Sequence, residues 1–277
     1  MDTVVAPLAE AAPPEAAALP AEWATWAEEP GQRISVREGG RMLGTLHVVV
    51  VGRDEAWLEG LWVEPAARGL GVAWRLVNEA EAIAARYGVT LMRAAVPASD
   101  ETALAVANRM KFAQRSRAMV GLAELVNGSV SVPRVDRARP ADVAAIISFV
   151  GSSPSLALWQ GLIPLGWRFR QLRPELVRGL VKDGRVLRSG ARVEGATAYA
   201  LRGSDAVVAF LDGPPAHRQA LYDAVADAAR AAGARRIALF MPEGIGAEGI
   251  RATVQPHPWC PDGLVIVERR IGSSKRH

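Results

Sequence analysis

Two features of the sequence could do chemistry, and they stand nine residues apart. The first is Glu59, a carboxylate set in the apolar run 56–63. That run alternates as a strand does. Read with a period of two, it places Trp57, Glu59, Leu61 and Val63 on one face and Leu58, Gly60 and Trp62 on the other. A carboxylate among apolar neighbours suits a general base, acting directly or through water. Glu55 is the second candidate for that role. The other feature is the turn Arg68-Gly69-Leu70-Gly71, which opens a helical pattern at Val72 and Ala73. Glycine permits backbone conformations that a Cβ forbids, and lets a ligand come close. Amides of such a turn and the first amides of the helix converge on one spot, and that spot favours an anion. Arg68 adds a fixed positive charge beside it.

The elements that must position these residues are legible around them. Residues 33–38 read as a strand, Gly39-Gly40 as a hairpin turn and 42–51 as its partner. A second turn at Gly52, Arg53 and Asp54 leads into the strand 56–63. In the helix predicted over 72–87, Leu76, Val77, Ala80, Ile83, Ala84 and Tyr87 recur at three and four residues, which marks a buried face. Gly88 ends it. A strand over 89–96 stops at Pro97, Asp100 caps a helix over 101–110, and a strand returns over 112–122. Residues 1–30 are rich in alanine and proline and offer only short helical turns near 15–18 and 21–27, with Trp23 and Trp26 available to dock.

Arg68-x-x-Gly71-x-Ala73 resembles the acetyl-CoA signature of the GNAT superfamily of N-acetyltransferases, and Leu61-x-Val63-x-Pro65 resembles the strand that precedes it. The resemblance implies acetyl-CoA as co-substrate. Its pyrophosphate would be held by Arg68, Gly69, Leu70, Gly71, Val72 and Ala73, and its pantetheine arm by the backbone of Leu61, Trp62 and Val63. A backbone amide near Trp62 or Val63 is then the expected oxyanion donor, and Glu59 the expected catalytic base. The family's segment N-x-x-A-x-x-x-Y-x-x-x-G-F, aligned on Phe112, puts Asp100, Ala103, Ala107 and Lys111 at its Asn, Ala, Tyr and Gly. The usual general acid is thus missing at Ala107. A free thiol is acidic enough, with a pKa of about 8.5, for solvent to protonate the departing thiolate.

The second half repeats the first. Gly44, Gly52 and Asp54 recur as Gly195, Gly203 and Asp205 at an offset of 151, and Gly88 and Pro97 recur as Gly233 and Pro242 at 145. The difference of six equals the length of the loop 68–73. Asp212, Gly213, Pro214 and Pro215 stand in its place, and Phe210 stands where Glu59 would be. The expected architecture is therefore of the α/β (α+β) class with two GNAT-like domains, each a central mixed, mostly antiparallel sheet flanked by helices. Residues 1–30 form an N-terminal segment, 31–130 the domain with the acetyl-CoA loop, and 131–277 a degenerate copy. That copy is expected to be structural, dimerising or substrate-lining.

Composition narrows the rest. The 277 residues are half hydrophobic and 22% charged, ordinary for a soluble globular chain. One cysteine, Cys260, excludes an internal disulfide and suits a reducing, cytoplasmic setting. The apolar runs are too short to span a bilayer. Net charge is +4, yet the arginines are scattered and lysines occur only at 111, 182 and 275, so nucleic acid is not the expected partner. His257 and Cys260 lack further ligands at metal-site spacing, and no metal is expected. Trp159 and Trp167 read as a buried helix or an interdomain contact, and Tyr199 and Tyr222 as core. The leading reading is acetyl transfer to a primary amine of a small molecule. Two others stand beside it: a non-catalytic acyl-CoA-binding or scaffold protein, and acyl transfer to a protein terminus or aminoacylated RNA. A homodimer is among the expected assemblies.

Overall fold

The computed structural model of the chain describes residues 2–6, 31–125, 133–202, 205–247 and 249–272. The expected helical turns within 1–30, Trp23 and Trp26, and the repeat glycine Gly203 lie outside the described residues. In chain order the elements are β1 (Asp2–Ala6), β2 (Gln32–Glu38), β3 (Arg41–Val50), β4 (Glu55–Val63), α1 (Val72–Arg86), β5 (Leu91–Pro97), α2 (Glu101–Arg109) and β6 (Ala113–Glu124). There follow β7 (Val135–Arg137), α3 (Val143–Gly151), α4 (Pro154–Leu158), β8 (Leu162–Leu165), β9 (Arg168–Gln171), α5 (Pro174–Lys182) and β10 (Val186–Ser189). The chain ends with β11 (Gly195–Arg202), β12 (Asp205–Asp212), α6 (Pro215–Ala231), β13 (Arg236–Pro242), β14 (Val254–Pro256) and β15 (Leu264–Arg270).

Contacts divide the chain into two compact units. The first comprises Met1–Ala95, Ala105–Ala113 and Val267–His277, the second Val96–Leu104 and Gln114–Ile266. The strands of each unit are mixed and mostly antiparallel and are flanked by helices, the class of architecture read from the sequence.

In the first unit the strand order is β1-β2-β3-β4-β5, with the end of β15 beside β5. Neighbours from β1 to β4 are antiparallel. β4 and β5 are parallel, which requires a crossover, and α1 supplies it. The apolar stripe of α1 buries Val72, Leu76, Val77, Ala80, Ile83 and Ala84. It can lie close to the sheet because β3 carries Gly44, where an added Cβ would come within 2.7 Å of Val72 Cγ1 and 2.8 Å of the Trp62 carbonyl.

The second unit has the order β6-β13-β12-β11-β10-β7, with β14 on β6. Again two strands are parallel, β12 and β13, joined through α6. Gly195 on β11 faces α6 closely, its added Cβ falling 3.0 Å from His217 Cβ and 3.1 Å from Leu221 Cδ1. His217 and Leu221 lie 145 residues after Val72 and Leu76, the pair that Gly44 meets. One core packs α6 on the sheet through Leu221, Val225 and Ala229, and another packs α3 and α5 through Ile146, Val150, Val177 and Leu180. Trp159 is buried just after α4, but Trp167 sits in the turn of the β8–β9 hairpin at φ +74°, so the helix expected to join them is absent. Gly161 and Gly166, both at positive φ, break that helical reading.

Candidate active site

β4 ends at Val63, and a 3-10 turn at Pro65–Ala67 carries the chain to Arg68. Gly69 and Gly71 adopt φ +79° and +78°, and a Cβ added at either would meet no atom within 4 Å. These glycines are therefore required by backbone conformation, and the space over them is open. Gly71 is the N-cap of α1. It offers no capping side chain, and the first turn holds no acidic residue. The N–H groups of Val72, Ala73 and Trp74 have no acceptor within the helix, so they aim positive dipole ends outward. Arg68 is exposed, with no side-chain hydrogen bond or ion pair among the described residues. Val72 is 1% exposed and packs on Gly44, so only its backbone can face a ligand. Leu61, Leu70 and Trp74 are 42, 59 and 62% exposed, an apolar rim around the loop.

Pairing between β4 and β5 runs from Glu55 with Leu91 to Leu58 with Ala94. Beyond Leu58, β4 continues for five residues outside that register, which frees backbone groups of Leu61, Trp62 and Val63 from this ladder. The same region contains a bulge. Thr45 pairs with Trp62 but His47 pairs with Glu59, so Leu46 faces an extra residue, and Gly60 takes φ +65°. The strict alternation expected for 57–63 is therefore wrong past Glu59. Glu59 shares its face with Trp62, while Val63 pairs with Gly44 on the face that α1 covers.

Glu59 does not stand alone. His47 Nδ1 lies 2.9 Å from Glu59 Oε1, and the imidazole is fully buried beneath a carboxylate with 14% of its side chain exposed. His47 carries no mark of this role in the sequence, though the turn at 52–54 fixes the register that sets 47 opposite 59. Glu55, the alternative base, is 3% exposed, and its Oε2 accepts a 2.7 Å hydrogen bond from Arg93 Nη1. Arg93 Nε donates to Glu268 at 2.7 Å, so one buried guanidinium ties β4, β5 and β15 together. That occupation removes Glu55 from consideration as a base. Asp100 caps α2 as expected, its Oδ1 accepting from Ala103 N at 2.8 Å. Lys111 takes φ +62°, the conformation that explains a glycine there in the family pattern.

His257 and Cys260 form a turn, with Cys260 N donating to His257 O at 3.0 Å, and the His257 ring packs on Trp167. Among the described residues there is no cluster of three His, Cys, Asp or Glu side chains able to hold a metal, and no helix long and apolar enough to cross a membrane.

Residues 4–112 match the acetyltransferase (GNAT) family model. Among solved structures, a GCN5-related N-acetyltransferase from Sphaerobacter thermophilus is similar at 15% identity and a TM-score of 0.57, over 86% of this chain and 80% of that one. The glucosamine N-acetyltransferase region of a fungal multi-domain β-N-acetylglucosaminidase is similar at 11% identity and a TM-score of 0.59, over 87% of this chain and 33% of that one. At such identities the likeness is one of fold. No curated protein matches the chain.

Proposed function

We propose that the protein is an acetyl-CoA-dependent N-acetyltransferase acting on a primary amine of a small molecule, with its chemistry in the first unit. The observation that carries this reading is the open head of α1: two positive-φ glycines, uncapped helix amides and an unpaired Arg68 around empty space. These residues fit a pyrophosphate, which needs amide donors and positive charge. Arg68 through Ala73 would hold it, and the freed backbone of Leu61, Trp62 and Val63 would receive the pantetheine arm. The bound co-substrate supplies an activated acetyl thioester.

Glu59 takes the proton from the incoming ammonium, and the buried His47 fixes the carboxylate in place. A backbone N–H near Trp62 or Val63 receives the carbonyl oxygen. Holding the amine against the acyl carbon supplies much of the acceleration. With Ala107 at the family's tyrosine position, the leaving thiolate takes its proton from solvent. The second unit, in this reading, is a degenerate tandem copy. The repeated offsets, the repeated parallel pair and the matching contacts of Gly44 and Gly195 support that view.

Calorimetric titration of acetyl-CoA tests the proposal. The wild type should bind one molecule per chain, and Arg68→Glu should weaken binding by about a hundredfold, the scale of a lost charge-assisted contact replaced by repulsion. Glu59→Gln should keep that affinity and lose thiol release by about 10²–10⁴-fold. Retained binding with no thiol release from the wild type and any amine would leave an acyl-CoA-binding protein. No binding by the wild type would sink both readings.

A further inference from the structure

In the second unit β12 and β13 pair from Asp205 with Arg236 to Val208 with Leu239 and then part. The gap between them is a shallow groove, open to solvent. Its walls are apolar, with Trp159, Phe210, Leu239 and Met241 among them, and its polar side chains are Ser155 and Arg218. Ser155 is engaged, since its Oγ donates to Asp212 Oδ1 at 3.2 Å, and Ser153 also donates to Asp212. Arg218 is different. It stands in the first turn of α6, half-buried, with its Nε sealed from solvent and without a hydrogen-bond partner. Among the described residues nothing pairs with its charge. Gly249 lies nearby, where an added Cβ would be 3.4 Å from Arg218 Nη2, an ordinary contact distance.

A cation lining an apolar groove is strained by lost hydration, and the cost is removed by an anion that brings its own apolar body. Low polarity around the groove strengthens that pairing. A guanidinium presents a planar fork of donors that matches a carboxylate. A pyrophosphate does not suit this place, because α6 begins with Pro214 and Pro215, which have no N–H to offer. We propose that the groove binds a small organic monocarboxylate, its carboxylate on Arg218 and its apolar chain against Phe210 and Met241. Phe210 stands where the first unit has Glu59, so the carboxylate that one unit uses as its own side chain would come, in the other, from the ligand. This inference does not depend on the transferase reading.

The test is calorimetric titration of the full chain with hexanoate, alongside hexylamine and hexan-1-ol as charge controls, with Trp159 fluorescence as a second readout. Hexanoate should bind one per chain, hexylamine should not, and hexan-1-ol should bind more weakly. Arg218→Gln should weaken hexanoate by at least about tenfold, the loss of one charge-assisted pair, and Arg218→Lys by less. Both variants should keep the wild-type circular dichroism and acetyl-CoA affinity. Absence of hexanoate binding at millimolar concentration would overturn the proposal. So would equal binding by wild type and Arg218→Gln. Binding that survives in Arg218→Gln but vanishes in Arg68→Glu would belong to the first unit's loop, and overturns it as well.

Discussion

At the head of α1 the chain turns through two glycines at positive φ over open space, whereas at the head of α6 it turns through Gly213 and two prolines. An added Cβ on Gly213 would lie 2.9 Å from Gly195 Cα, so that connection is packed down on its own sheet. Both heads follow the same architecture of strand, crossover helix and parallel strand. One leaves amides and an arginine facing outward. The other removes two amides by proline and places Asp212, held by Ser153 and Ser155, just ahead of the helix. The scaffold therefore supplies a gap between parting strands, and in the proposed reading the six residues of the connection decide whether a pyrophosphate can be held there.

The two units are alike in strand path, yet neither is made from one continuous stretch. The first contains the end of β15 beside β5, and the second contains β6 beside β13. Cutting the chain between Leu125 and Pro133 removes β15 from one piece and β6 from the other. Neither piece should fold alone, and mixing them should restore circular dichroism and acetyl-CoA binding. A piece that folds cooperatively by itself would break the claim.

Next in size is the ionic core of the first unit. Arg93, with Glu55 and Glu268, is buried where the second unit has Ala238, 145 residues on. Arg93→Met removes the buried guanidinium that both carboxylates bind and should cost about 3–5 kcal/mol in urea unfolding. Adding Glu55→Gln and Glu268→Gln should recover part of that loss. A loss below about 1 kcal/mol would mean that the network adds little to holding the strands.

The repeat itself is tested by smaller changes. Gly44→Ala drives a methyl into Val72 and the Trp62 carbonyl, which cannot turn away, and should cost about 1–3 kcal/mol. Gly195→Ala meets first the Ser189 hydroxyl, at 2.6 Å, which can rotate, so it should cost less. If only one of the two destabilises the chain, the equivalence of the helices above them fails.

Much of the first unit was legible because its elements are local and strongly patterned. The strands and helices around the loop fall within two residues of where periodicity and turn residues put them. Asp100 could be read as a cap because capping is decided within four residues. β1 was not read, although Thr3, Val4 and Val5 favour a strand, because five residues ahead of a proline-rich stretch carry little signal. The place of β15 beside β5 was equally hidden, since nothing local in 264–270 tells which edge it joins. In the site, the loop was legible from its glycines, but the face of Trp62 was not. A bulge changes facing without leaving a mark in an apolar run. Arg218 was missed because an unpaired charge is a property of its surroundings, and those come from β12, β13 and the segment around Gly249.

Cys260 is a reporter confined to the second unit. Burial pushes its thiol from the ordinary 9.0 up to about 12, and the residue is fully enclosed. The folded state thus keeps the proton that the unfolded state releases. The stabilisation is complete below pH 9.0 and is lost as pH rises through about 12. Cys260→Ala should flatten that alkaline loss. At neutral pH an aromatic disulfide reagent should reach the wild-type thiol only in molecules whose second unit has opened. Acetyl-CoA at a hundred times its dissociation constant stabilises whatever must fold to bind it by about 2.7 kcal/mol. Because each unit holds a strand from the other half of the chain, saturating acetyl-CoA should slow labelling of Cys260 by about a hundredfold. Labelling that ignores acetyl-CoA while calorimetry shows it bound would mean that the second unit opens by itself. The strand exchange would then be a matter of chain path, without energetic coupling between the two units.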